Sequence, residues 1–237
     1  MYYHILITFF LNFILGLYSI KSNYKSRINI IFSILAFTVA GIIITNSLVI
    51  QRPYPTLWNK LNLFFVIWAP TLYLIWSSNI SKIKLIIKDQ ILLVISFLIS
   101  LTLFTNLLIK DTIVVNGNLE QTYGPFFIIF FIFYIICFIY GLFLLIYAHK
   151  STNDFLEKRK YLIAFVGTLI PIGTSIVLNI IISVAQLNEI FGINELTGNI
   201  IVLPITNSLM MIFFAFSVLK YGFLKKNNNT KIIAVYS

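Results

Sequence analysis

Charge is scarce in this sequence. Asp, Glu, Lys and Arg together make up 10% of 237 residues, against 59% apolar residues and a mean hydropathy of +0.97. A water-soluble domain carries roughly a quarter charged residues because its surface must be hydrated. A soluble globular protein is therefore excluded, and most of the surface has to face lipid. Cysteine occurs once, at Cys137 in the middle of an apolar run. That excludes an intrachain disulfide and a thiolate metal cluster, and leaves a small apolar packing residue. Histidine occurs twice, at His4 and His149, each at the end of an apolar run, where an interfacial anchor is expected rather than a catalyst. Glycine-rich phosphate-binding patterns, GxSxG and HExxH are all missing. Catalysis by this chain is not expected, nor a cofactor, nor a bound metal.

Long apolar runs are what the sequence does contain. A helix needs about 20 apolar residues to cross the hydrocarbon core, at about 1.5 Å of rise each. Seven runs meet that need, near Ile5–Ile20, Ile28–Ile50, Leu57–Ser77, Ile91–Ile109, Pro125–Ala148, Tyr161–Leu187 and Asn199–Leu219. They are continuously apolar, without the period-two alternation of a membrane barrel. The first run is not expected to be a signal peptide, since no basic stretch precedes it and no small-residue cleavage site follows. The expected fold is an all-α membrane protein, a seven-transmembrane-helix bundle in the cell membrane with the lipid bilayer as its first partner.

Fourteen of the 17 Lys and Arg residues fall on one side of that bundle: Lys21, Lys25 and Arg27; Lys82, Lys84 and Lys88; Lys150, Lys158, Arg159 and Lys160; Lys220, Lys225, Lys226 and Lys231. Arg52, Lys60 and Lys110 fall on the other. Cytoplasmic loops retain Lys and Arg, so the bias predicts an N-terminus outside and a C-terminus in the cytoplasm. The formal charge of +10 is mostly this signal. Nucleic-acid binding would need the cations gathered on one folded surface, and they are split among short loops.

The seven apolar cores hold no Asp, Glu, Lys, Arg or His, which removes the groups that ion channels, pumps and proton-coupled transporters use to carry charge. A retinal site is excluded too, because the last run has no lysine before Lys220. What polarity there is comes from amides. With the N-terminus outside, Asn46, Asn62, Asn106, Asn179, Gln186 and Asn207 all fall in the outer halves of their spans, and the inner halves hold almost none beyond Gln90. In the sixth span Thr168, Pro171, Ser175, Asn179, Ser183 and Gln186 share one helical face, which should turn into the bundle, away from lipid. Two readings stand: the amides glue helices together, at about 0.6 kcal/mol each, or they line an outward-facing polar pocket. Pro70, Pro171 and Pro204 are expected to kink their spans by removing backbone hydrogen bonds.

The order of several short stretches resembles the N-terminal seven-transmembrane region of bacterial sensor histidine kinases, a module that also precedes other cytoplasmic output domains such as diguanylate cyclases. The matching stretches are Leu57-Trp58 with Pro70, Leu103-Phe104-Thr105-Asn106, and Tyr123-Gly124-Pro125 with Gly141. Lys158-Arg159-Lys160-Tyr161 then leads into Gly167-Thr168-Leu169-Ile170-Pro171 with Asn179, and Leu219-Lys220-Tyr221-Gly222-Phe223-Leu224 forms the exit. The resemblance implies a sensory module over residues 1–226, N-terminus out and C-terminus in, followed by a disordered basic, Asn-rich cytoplasmic tail over 227–237. It implies a two-component signalling role, with a cytoplasmic kinase or cyclase as partner and a homodimer as assembly. The family's histidine-containing catalytic core has no counterpart in these residues, so kinase activity is not carried over, and a freestanding, truncated or split receptor is expected.

The expected function is thus a signal-input module that binds an extracellular or membrane-borne signal and passes a displacement of its last helix to a cytoplasmic partner. Asn46, Asn62, Asn106, Tyr123, Asn179, Gln186 and Asn207 are the expected pocket lining. Lys220, Tyr221, Gly222, Phe223 and Leu224 are the expected output connection. The alternatives are a small permease or efflux component for an uncharged solute, and a helper subunit of another membrane protein.

Overall fold

The computed structural model describes residues 3–51, 53–115, 118–183 and 202–220. Seven α-helices lie among them: α1 (Tyr3–Ser22), α2 (Arg27–Gln51), α3 (Pro55–Ser81), α4 (Asp89–Leu101), α5 (Phe127–Ser151), α6 (Phe155–Ser183) and α7 (Leu203–Ala215). A 3-10 turn, Thr102–Phe104, follows α4, and a wider π-helical turn, Phe216–Lys220, follows α7. Each expected apolar run contributes one helix. By length and composition, α1, α2, α3 and α5 can each cross a membrane, and α4 and α7 are shorter apolar helices. Helix α6 has 29 residues and opens on the charged sequence Glu157-Lys158-Arg159-Lys160. The ends near Leu187 and Asn199 expected for the sixth and seventh runs lie outside the described residues, as does the tail over 227–237.

The fourth run departs from expectation. It stops being α-helical at Leu101, and Ile109 belongs to a strand rather than to the helix. Strands β1 (Ile109–Val115) and β2 (Asn118–Tyr123) pair antiparallel, with Val115 opposite Asn118 and a bulge between Ile109 and Asp111. Helix α4 and its 3-10 turn span about 25 Å, short of the roughly 30 Å hydrocarbon core. Past Phe104 the chain carries Ile109, Thr112, Ile113, Val114 and Val115, residues whose branched side chains suit a pleated surface better than a helix.

The hairpin is tied to the bundle at its base. Leu108 and Ile109 are fully buried in a cluster with Leu63, Ile67, Leu103 and Phe130. The Thr56 hydroxyl lies 2.8 Å from the Asp111 carboxylate and accepts the Thr112 N–H at 3.2 Å, and the Asn59 amide donates to the Thr112 hydroxyl at 2.7 Å. At Gly124 a Cβ would stand 2.0 Å from the Leu107 carbonyl oxygen, so only glycine lets the returning strand pass that backbone.

Helix α3 is the hub. Its Asn62 amide donates to the α2 groups Ile42 O and Thr45 Oγ1, at 3.0 and 3.1 Å. Thr71 meets Ser96 of α4 at 2.5 Å, and the Tyr73 hydroxyl accepts from Thr168 of α6 at 3.2 Å. Trp76 stacks on Phe214 of α7 with ring centroids 4.3 Å apart, and Tyr73 stacks on Phe138 of α5 at 4.9 Å. Gly141 of α5 makes that approach possible, since a Cβ there would sit 2.4 Å from the Tyr73 ring. Small residues at such contacts are how helices pack closely where lipid supplies no hydrophobic drive. Cys137 is buried in the same core, as expected.

The outside is apolar. Ile128, Ile132, Ile136, Ile139 and Phe143 on α5, Ile7, Phe10, Ile14 and Leu17 on α1, and Ile91, Val94, Leu98 and Leu101 on α4 are all exposed. Meanwhile Asn12, Ser33, Thr71, Ser77 and Thr168 are fully buried. Water would reverse that arrangement; lipid favours it, because polar groups then find partners only inside.

Among the described residues, basic loops come together at one end. Arg27 at the start of α2 pairs with Asp89 at the start of α4, and Glu157 at the start of α6 pairs with Lys82, the C-cap of α3, at 3.2 Å, and with Lys160. His149 Nδ1 contacts the Lys158 carbonyl at 3.0 Å, and Asp154 caps α6 by accepting the Leu156 N–H at 2.9 Å. The hairpin occupies the opposite end. Of the expected kinks, Pro70 and Pro171 lie inside α3 and α6. Pro204 stands in the first turn of α7 as described, with the residues before Val202 outside the described ones.

Candidate functional site

Three of the expected pocket residues meet in one cavity. It has a volume of about 180 Å³ and lies between α2, α3 and α7, lined by Ile42, Ile43, Asn46, Asn62, Val66, Leu203, Pro204 and Asn207. The spacing explains the convergence. Ile42 and Asn46, Asn62 and Val66, and Leu203 and Asn207 are each four residues apart, so each pair shares one helical face. Asn46 lies five residues before the end of α2, Asn62 seven after the start of α3, and Asn207 four after the start of α7. The cavity therefore sits one to two turns inside the hairpin end, far from the basic loops.

Its chemistry is that of an uncharged amphiphilic site. Three amides offer donors and acceptors, and among the described residues five aliphatic residues and no ionisable one form the rest of the wall. The Asn62 amide is engaged by α2 through Ile42 O and Thr45 Oγ1, so this residue joins helices as well as lining the space. The volume matches about six water molecules at roughly 30 Å³ each, or a small organic molecule of similar bulk. Among the described residues no group of three or more His, Cys, Asp or Glu side chains could hold a metal ion.

The other expected residues go elsewhere. Asn106 is exposed in the turn between the 3-10 segment and β1, because α4 ends before reaching it. Its carbonyl faces Gly124 at the hairpin base. Tyr123 closes β2 opposite Ile109 and stacks on Phe127 at 3.9 Å. Asn179 is in α6, with its side chain outside the described residues, as Gln186 is altogether. Lys220 ends the π-helical turn after α7, while Tyr221, Gly222, Phe223 and Leu224 lie outside the described residues.

Sequence reasoning also missed amides. Asn12 of α1 is fully buried and donates to Ser208 of α7 at 2.7 Å. Asn29 and Asn79 stand near the basic end, bonded to the carbonyls of Ser19 and Ile75, so the inner halves hold more amides than the expected Gln90. Asn12 was legible as the lone amide of the first apolar run. Its Oδ1 is buried without a hydrogen-bond partner among the described residues.

At the hairpin, Asp111 is the perturbed group. The Thr56 hydroxyl, and after it the Thr112 backbone N–H, hold its carboxyl below the usual carboxylate range. This supports docking of the hairpin and contributes no wall to the cavity.

Comparison with known proteins supplies the family. No curated protein matches the sequence. The family model described as the N-terminal 7TM region of histidine kinase matches residues 4–226, a stretch that takes in all seven helices, the hairpin and the cavity. The chain belongs to that family: it is a membrane protein of the N-terminal seven-transmembrane sensor region of histidine kinases.

Proposed function

We propose that the chain binds a small uncharged signal in the cavity between α2, α3 and α7 and relays it by moving α7 against α3. The carrying observation is that Asn46, Asn62 and Asn207 come from three different helices and line one space. One of those helices, α7, also runs toward the opposite end. Helix α7 presents Asn207 to the cavity and, two turns later, Phe214 to Trp76 of α3. A molecule that wedges Asn207 away from Asn62 therefore strains the Trp76–Phe214 contact. The π-helical turn Phe216–Lys220 that follows is a geometry often found where a helix serves function, and it ends on Lys220, the first residue of the expected output connection. Binding shifts the equilibrium only to the extent that the ligand prefers one of two α7 packings.

The positive-inside bias supports a cytoplasmic basic end and an outer hairpin end, in the cytoplasmic membrane. The signal then arrives from outside or from the outer leaflet, and the partner is a cytoplasmic kinase or cyclase core met by the exit of α7. The chain itself carries input rather than catalysis.

Trp76 supplies the test. In a Trp58→Phe/Trp68→Phe background it is the remaining tryptophan and reports on Phe214. Benzyl alcohol, an uncharged probe with one hydroxyl and an apolar ring, should change its emission in the reconstituted protein. Asn207→Leu should remove that change while leaving the starting spectrum intact. An emission that ignores the probe, or responds equally in the Asn207→Leu variant, rules the reading out.

A further inference from the structure

The larger cavity is at the basic end. A cleft of about 460 Å³ opens between the start of α2, the end of α3, the α3–α4 connection and the start of α4. Arg27, Lys82, Lys84 and Lys88 line it, with Asp89 as its carboxylate and Ser78, Asn79 and Gln90 as neutral hydrogen-bonding neighbours. The charges do not cancel. Asp89 is matched by Arg27 and Lys82 by Glu157, while Lys84 and Lys88 have no carboxylate partner among the described residues. No side chain caps the start of α4, so the field of that helix end adds to the lysines in favouring an anion.

The cleft also has an apolar exit. Residues 82–88 read Lys-Ile-Lys-Leu-Ile-Ile-Lys, with Ile86 89% and Ile87 46% exposed. From there Ile91, Val94, Leu98 and Leu101 form an exposed stripe along one face of α4. A soluble anion has no use for such a track. A lipid does, because its phosphate sits at the membrane interface and its chains run alongside the helix.

We propose that this cleft is a binding site for the phosphodiester headgroup of an anionic phospholipid, with Lys84, Lys88 and Arg27 on the phosphate and an acyl chain on the α4 stripe. The headgroup competes with Asp89 for Arg27, so occupancy loosens the tie between α2 and α4. Through α2, which forms one wall of the proposed signal cavity, lipid composition bears on the sensor without entering its signal site. The lipid site stands whether or not the other cavity binds a signal.

Native mass spectrometry of the full chain in neutral detergent tests it, with phosphatidylglycerol, phosphatidylcholine and inorganic phosphate as separate probes. Phosphatidylglycerol should be retained at one molecule per chain, in preference to phosphatidylcholine and undisplaced by millimolar phosphate. Lys84→Gln/Lys88→Gln should weaken it roughly thirtyfold, from about a factor of five for each surface cation. Lys150→Gln/Lys158→Gln removes as many charges from the same end outside the cleft and should change binding less than about twofold, because exposed charges not in contact with the headgroup are screened over about 8 Å. Asp89→Asn frees Arg27 and should tighten binding, an effect that damage to the fold does not produce. Equal losses in the two lysine pairs, equal retention of phosphatidylcholine, displacement by inorganic phosphate, or weaker binding in Asp89→Asn each overturns the assignment.

Discussion

Asn62 and Asn207 share a cavity but do different work, and substitution should separate them. The Asn62 amide holds α3 to α2 through Ile42 O and Thr45 Oγ1. Leucine there forfeits an interhelical bond and leaves the Thr45 hydroxyl without that donor, so Asn62→Leu should lower stability by about 0.6–1.7 kcal/mol, read as a fall in the detergent denaturation midpoint. Asn207→Leu should leave that midpoint nearly unchanged and act on probe binding. A loss of the same size in both variants would mean that the amides serve only as glue. Packing sets a second limit at this scale. A methyl group at Gly141 meets the Tyr73 ring at 2.4 Å, and Tyr73 is pinned between Phe138 and Phe214. Gly141→Ala should therefore cost about 1–3 kcal/mol through overpacking, measured in the same unfolding experiment, whereas an unaltered midpoint would show that the ring can turn aside.

Among the elements, the hairpin is the one that apolar runs conceal. Leu103, Leu107, Leu108 and Ile109 extend the apolar stretch of α4, so the run reads as one helix through Asn106. The contrary signal was present: Asn116-Gly117, the dipeptide of two-residue hairpin connections, stands between Val115 and Asn118, which pair. Reading α4 through to Ile109 put Asn106 at a helical depth it does not have, and so assigned it to the pocket. Asn46, Asn62 and Asn207 were legible because their helices are long and their apolar partners recur at four-residue spacing, which fixes a face. Hairpin docking should be acid-sensitive in a definite direction. The folded state holds the Asp111 carboxyl below its ordinary value, so its contribution is complete above the ordinary carboxylate pKa of about 4 and fades as pH falls through the lowered folded value. Amide exchange in residues 109–123, once corrected for its intrinsic pH dependence, should show protection decreasing over that acid range, and Asp111→Asn should abolish the dependence. Protection that is constant with pH would remove Asp111 from the docking.

For the molecule as a whole, the proposed function gives the two ends opposite roles, and everything said about the direction of signalling depends on which faces the cytoplasm. Ion pairs bring the starts of α2, α4 and α6 and the end of α3 to one face, so the Lys and Arg of these connections, split among short loops in the sequence, meet at one end of the bundle among the described residues. Lys and Arg next to spans are retained on the cytoplasmic side, and on that ground the proposed function puts the hairpin and the amide cavity outside. The single cysteine makes this directly measurable. Cys137 is buried in the core, and Cys137→Ser yields a background without thiols. In that background Ile113→Cys places a thiol on an exposed hairpin position and Lys84→Cys one on the exposed α3–α4 connection. A membrane-impermeant maleimide applied to intact cells should label the first and spare the second, and permeabilised cells should label both. The reverse pattern would place the amide cavity on the cytoplasmic side, so that the same wedge between α2, α3 and α7 would respond to an internal solute and drive an output outside, where no kinase core could receive it.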